Sequence, residues 1–154
     1  MANRLNAQKW ASERGAEVIE FAIILPLLLL IIFGLIDFGF LFQRYIVLTN
    51  AAMEGARVAV LPGYGQADAE DRARSYATQS GVPDTVDLTV TATPGTVPGA
   101  AAGETWPAWV VTVTFRHDYS YMGPIAEMFG GSFSSVFLTA TSTMRSQIGA
   151  APAP

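Results

Sequence analysis

The chain has 154 residues, nine Lys and Arg against thirteen Asp and Glu for a formal net charge of −4, and no cysteine. These figures exclude a disulfide framework and a Cys-ligated metal site, and the acidic balance argues against nucleic-acid binding. The length leaves room for one modest folded domain and no second core.

Residues 1–15 are polar, holding Asn3, Asn6, Gln8 and Ser12 together with three of the nine basic residues, Arg4, Lys9 and Arg14. They lack an apolar period and are expected to form a short leader without stable structure, ended by Gly15. A run of 22 largely apolar residues follows at 21–42, interrupted by Asp37. At ~1.5 Å per helical residue it measures about 33 Å, enough to cross a hydrocarbon core of roughly 30 Å. The basic flank places the N-terminus on the cytoplasmic side and the rest of the chain outside. A cleavable secretory signal would have a shorter apolar core with small residues on its far side, and 37–42 offers no such site.

One helix is expected over 16–60, membrane-spanning over 21–42 and amphipathic beyond. Pro26 removes one backbone donor from it. Tyr45, Leu48, Ala52, Ala56 and Ala59 or Val60 recur at helical spacing, and Ala51, Gly55 and Ala59 form a row of small residues. Such a row lets another backbone approach closely, either the chain's own sheet or a neighbouring subunit. Asp37 is expected to be exposed near the outer headgroups, and Glu54 with Arg57 to be a solvated pair.

The run Pro62, Gly63, Tyr64, Gly65 stops the helix. An extracytoplasmic domain is expected over 61–149. It opens with a helix at 68–79, whose Asp68, Glu70 and Asp71 suit a helix start and whose Asp68 and Arg72, and Glu70 and Arg74, have i,i+4 spacing. Alternating patterns then predict strands: Val86, Leu88, Val90 and Ala92 on one face, Trp109, Val111, Val113 and Phe115 on another, and a third strand over 135–145. Residues 94–103 read as a Gly/Pro/Ala-rich loop, 125–129 as a short helical turn, and 150–154 as a disordered tail. The predicted fold class is α+β: a long N-terminal helix, a short helix and an antiparallel sheet of three or four strands.

No catalytic constellation stands out. His117 is the single histidine, and His117, Asp118 and Ser120 lack a nucleophile elbow or a second base. The acids at 68–71 lack the ligand alternation and glycine of a calcium loop. No enzyme activity, cofactor or metal is expected.

A carboxylate at the entrance of a hydrocarbon run is costly unless paired, which makes Glu20 a functional candidate on physical grounds. The pattern of Gly15, Ala16, Glu20 and Phe21 ahead of an apolar run resembles the type IV prepilin signal. The wider sequence is most similar to the TadE-like pseudopilins of the tight-adherence (Tad, or Flp) pilus system. The similarity is carried by Arg14-Gly15-Ala16-Glu17-Val18-Ile19-Glu20-Phe21-Ala22, Leu25-Pro26-Leu27, Gly34-Leu35-Ile36-Asp37-Phe38-Gly39 and Ala51-Ala52-Met53-Glu54-Gly55-Ala56-Arg57. The resemblance implies cleavage between Gly15 and Ala16 by a prepilin peptidase. It also implies assembly through Glu20 and Phe21, with partners among other Tad pilins, pseudopilins and the inner-membrane assembly platform, and residence in the lipid bilayer before assembly. The alternative is an uncleaved single-pass protein displaying a small binding or sensing domain.

Overall fold

The computed structural model describes residues 2–128, 130–132 and 135–146, with side chains from Gly15 onward except that of Ala16. In chain order it contains helix α1 (Ala2–Ala59), helix α2 (Gln66–Gln79), strands β1 (Leu88–Pro98) and β2 (Thr105–Asp118), helix α3 (Met122–Met128) and strand β3 (Ser135–Arg145). The fold is α+β with a three-stranded antiparallel sheet in the order β1-β2-β3. Two compact units divide the chain: Met1–Gly39 with Tyr119–Phe133, and Phe40–Asp118 with Ser134–Pro154.

The second unit holds a core lined by α1, α2 and one face of the sheet. From α1 come Leu48, Ala51, Ala52, Ala56 and Ala59, and α2 adds Ala69, Ala73 and Ala77. The sheet contributes the alternate residues Leu88, Val90 and Ala92, Val111, Val113 and Phe115, and Leu138 and Ala140. Its other face is dominated by threonine, and the register sets Thr89, Thr114 and Thr139, then Thr91, Thr112 and Thr141, in rows across the strands. The hydroxyls of Thr112 and Thr141 lie 3.1 Å apart and those of Thr114 and Thr139 3.2 Å apart, so polar pairs cover this face.

The small-residue row of α1 seats the helix within its own chain. A Cβ placed on Gly55 would lie 2.8 Å from the Ala69 carbonyl oxygen, 2.9 Å from Ala73 Cβ and 3.1 Å from Val111 Cγ1. Only hydrogen fits there. At the far end of α2 the chain reverses through Gly81, whose φ of 92° suits glycine. The Gly81 N–H donates to the Thr78 carbonyl at 3.1 Å and the Val82 N–H to that of Ala77 at 3.0 Å, a Schellman closure that tucks Val82 into the core.

Several expectations are corrected. The leader is helical from Ala2, because Ala2, Leu5, Ala7, Gln8 and Lys9 favour helix and one glycine opposes it by only about 1 kcal/mol. Val86 is 98% exposed and precedes β1, since a turn closed by the Leu88 N–H on the Thr85 carbonyl at 3.0 Å carries it outward. Strand β1 continues through Pro94 to Pro98 where a loop was expected; it is an edge strand, on which a missing donor can be tolerated. Helix α2 begins at Gln66, where Asp68 accepts the Gly65 N–H at 2.9 Å. The short helical turn starts three residues early, at Met122; Phe129 and the tail at 150–154 lie outside the described residues.

The expected ion pairs within α2 are replaced by longer-range ones. Arg72 meets Glu54 of α1 at 3.1 Å, Arg74 meets Asp84 at 2.8 Å, and Glu54 also meets Arg57 at 3.3 Å. Glu70 instead accepts the Ala92 N–H of edge strand β1 at 2.9 Å.

Gly55→Ala should destabilise the protein by about 1–3 kcal/mol, because the Ala69 backbone cannot give way as a flexible side chain would. Gly39→Ala, whose new Cβ would meet nothing within 4 Å, should be neutral or slightly stabilising. Thermal unfolding of both variants in the same detergent micelles checks the contrast.

Candidate functional site

The surface of the apolar helix is the first element of the site. The segment Glu17–Ala59 is long and apolar enough to cross a membrane by length and composition, and its most apolar window is only 6% buried within the protein. A core helix of a soluble domain would be mostly covered; here Val18, Ile23, Leu27 and Leu35 are each more than 60% exposed.

At the helix entrance, Gly15, Glu17, Glu20 and Phe21 are all exposed. Gly15 has open space around it, with nothing within 4 Å of a built Cβ. The helix runs unbroken through the bond between Gly15 and Ala16, and the side chain of Ala16 lies outside those described. Glu20 follows Ala16 by four residues, a little over one helical turn.

Ala51, Gly55 and Ala59, 35 residues and more beyond Ala16 in sequence, are buried in the chain's own core. Nearby, the Arg44 guanidinium stacks over the Phe115 ring at 5.1 Å, and Phe40, Gln43, Arg44, Val47, Ser80, Gly81 and Val82 line a shallow surface cleft. His117 is 5% exposed at the end of β2, buried as an element of the sheet's inner face.

Asp37 departs most from expectation. It is 1% exposed, where exposure among headgroups was expected. The Met122 N–H donates to its Oδ2 at 2.6 Å, and the Tyr121 N–H to Oδ2 at 3.1 Å and Oδ1 at 3.3 Å. One turn earlier, Phe33 stacks on Tyr121 with ring centroids 6.0 Å apart and planes 6° from parallel. Gly34 leaves room for the thioether of Met122, whose sulfur would lie 3.4 Å from a Cβ added there. Together Phe33, Gly34 and Asp37 clip the start of α3 to the apolar helix. The cost of an acid inside an apolar run was a signal that Asp37 needs partners; nothing local identifies those partners, which lie 84 and 85 positions away.

A family model described as TadE-like protein matches residues 15–57. Residues 15–57 are thus similar to TadE-like proteins. The match opens on Gly15 and takes in Glu20, Phe21, Asp37, Ala51 and Gly55, while Ala59 lies just beyond it. No curated protein and no solved structure matches the chain significantly. The match covers 43 of the chain's 154 residues and leaves α2, α3 and the sheet outside it.

Asp37→Ala should release the clip, since each hydrogen bond to a carboxylate contributes roughly 1.5–3 kcal/mol. Hydrogen exchange at the Tyr121 and Met122 amides should accelerate on the order of a hundredfold, while the amides of β2 keep their protection. Unchanged exchange at those two amides would contradict the role given to Asp37.

Proposed function

We propose that this chain is a minor pseudopilin of a Tad-type pilus, inserted with its N-terminus in the cytoplasm and trimmed after Gly15 by a prepilin peptidase. It waits in the inner membrane as a single-pass protein until it enters or primes the filament. One observation carries the reading: the TadE-like match begins at Gly15 and covers a helix whose apolar surface its own fold leaves exposed. In domain terms, 1–15 is the removable leader, 16–60 the anchor and its extracytoplasmic extension, 61–149 the displayed domain and 150–154 a tail.

The mechanism is mechanical. The apolar helix stores the subunit in lipid at low cost. Cleavage leaves an amine at Ala16, and Glu20 of a neighbouring subunit is its natural partner, because a carboxylate at the edge of hydrocarbon gains most when a cation meets it there. That pairing sets the axial register between subunits, and Phe21 packs beside it. The open surroundings of Gly15 suit access by a peptidase, and glycine is the helical residue that unwinds most readily. The inner-membrane assembly platform would receive the subunit with the small-residue row already occupied within its own fold.

Mass spectrometry of the membrane-extracted protein from cells with active prepilin peptidase should find a mature chain beginning at Ala16. An intact leader would favour the alternative of an uncleaved membrane protein displaying a binding domain. Glu20→Ala should leave processing and membrane insertion unchanged yet reduce pilus assembly. Normal piliation in that variant would count against the register role.

A further inference from the structure

We propose that residues 121–128, the turn into α3 and α3 itself, form a membrane-interface element that lies against the outer leaflet of the bilayer crossed by α1. The proposal rests on the membrane-spanning reading above and adds a second, non-spanning contact with lipid.

The first support is position. The Tyr121 and Met122 amides are held on Asp37, and the Tyr121 ring lies on Phe33. These anchor points fall within the apolar run itself. Phe33 precedes Asp37 by four residues, which is about 6 Å along a helix, toward the bilayer centre.

The second support is length. Between Glu20 and Asp37 there are sixteen uncharged residues, covering about 24 Å, some 6 Å short of a hydrocarbon core of roughly 30 Å. The deficit is met by thinning the bilayer or by drawing one carboxylate inward. Glu20 is exposed and would have to give up water. Asp37 is already buried, with protein N–H groups on its oxygens, so lowering that end costs less dehydration. Whichever share each end takes, the clipped segment moves with Asp37 to the level where acyl chains meet headgroups. Non-helical backbone at that depth is tolerated when protein satisfies it, and Asp37 does so for the two amides.

The third support is the chemistry of the outer face. Met122, Gly123 and Ala126 are the buried residues of α3. Facing outward are Met128, 82% exposed, Tyr121, 45% exposed, and Pro124. Glu127 is the sole charged residue between 119 and 131. A tyrosine beside an exposed methionine and proline, with a single charge, is a composition that suits a membrane surface.

The absence of cysteine makes single-cysteine labelling clean. The full-length protein, spin-labelled at Met128→Cys, is reconstituted in phosphatidylcholine vesicles, with Leu28→Cys as the reference for the span and Ala100→Cys as the reference for water. Collision with oxygen and with a neutral nickel chelate is then measured at each site. The expected result is a Met128 label whose nickel accessibility is lower than that of Ala100 by roughly fivefold or more, with raised oxygen accessibility. Adding Asp37→Ala should return that label toward the water reference and leave Leu28 in lipid. A Met128 label as nickel-accessible as Ala100, with Leu28 buried in lipid, would overturn the interface element while the span stands. A nickel-accessible Leu28 label would overturn the span and the interface element together. Protection of Met128 that vanishes when the protein is diluted in lipid would assign the face to a second copy and overturn the lipid contact.

Discussion

The close approach at Gly55 is the contact on which the folded domain depends. The core is built largely from alanine and valine, side chains that each remove little apolar surface from water, at about 25 cal/mol per Å². Such a core can gain cohesion only by packing its backbones tightly. Gly55 allows this by placing the bare backbone of α1 against the Ala69 carbonyl, Ala73 and Val111 at once. With no disulfide to restrain the unfolded chain, a helix whose earlier portion suits lipid is also one wall of the domain core. Anchor and scaffold are consequently parts of one continuous element, and a change at Gly55 acts on the domain without touching the apolar run.

Polar groups complete this arrangement at its margins. Glu54 lies on the same helical stretch as Gly55 and reaches both Arg57 and Arg72, joining α1 to α2 beside the close contact. These pairs are partly exposed and individually weak. Glu70 has the more specific task, because it accepts an amide of edge strand β1 that the sheet itself leaves without a strand partner. An edge occupied by a side chain is a poorer template for unwanted strand pairing. The threonine face closes the other side of the sheet with hydroxyl pairs, beside which Arg116 meets Asp87 and Asp118.

Asp37 shows a second way of meeting a cost. An acid within an apolar helix invites water, a cation or a proton, and this chain supplies two backbone amides from the segment between β2 and β3. Phe33 and Gly34, a turn away, accept the side chains that those amides bring with them. Asp37 and the short helix are each legible in the sequence, but separately, and the acid by itself reads as a surface charge. Their union depends on a chain return of more than eighty residues, for which neither flank carries a local signal.

The sequence by itself determined the apolar run, the basic flank before it, the entrance pattern of Gly15 and Glu20, and the alternation that buries Val111, Val113 and Leu138, because each depends on residues close together along the chain. It also located β3 to the residue and the small-residue row as a place of close packing. Tertiary structure alone decided what that row meets, which partners Glu54, Glu70 and Arg74 choose, and that Asp37 is covered. It also carried β1 through two prolines and turned Val86 outward. The physical reason is the same in each case: local pattern specifies which face of an element is apolar, but the partner of a polar group or of a bare Cα is set by which distant segment the completed fold brings within about 3 Å.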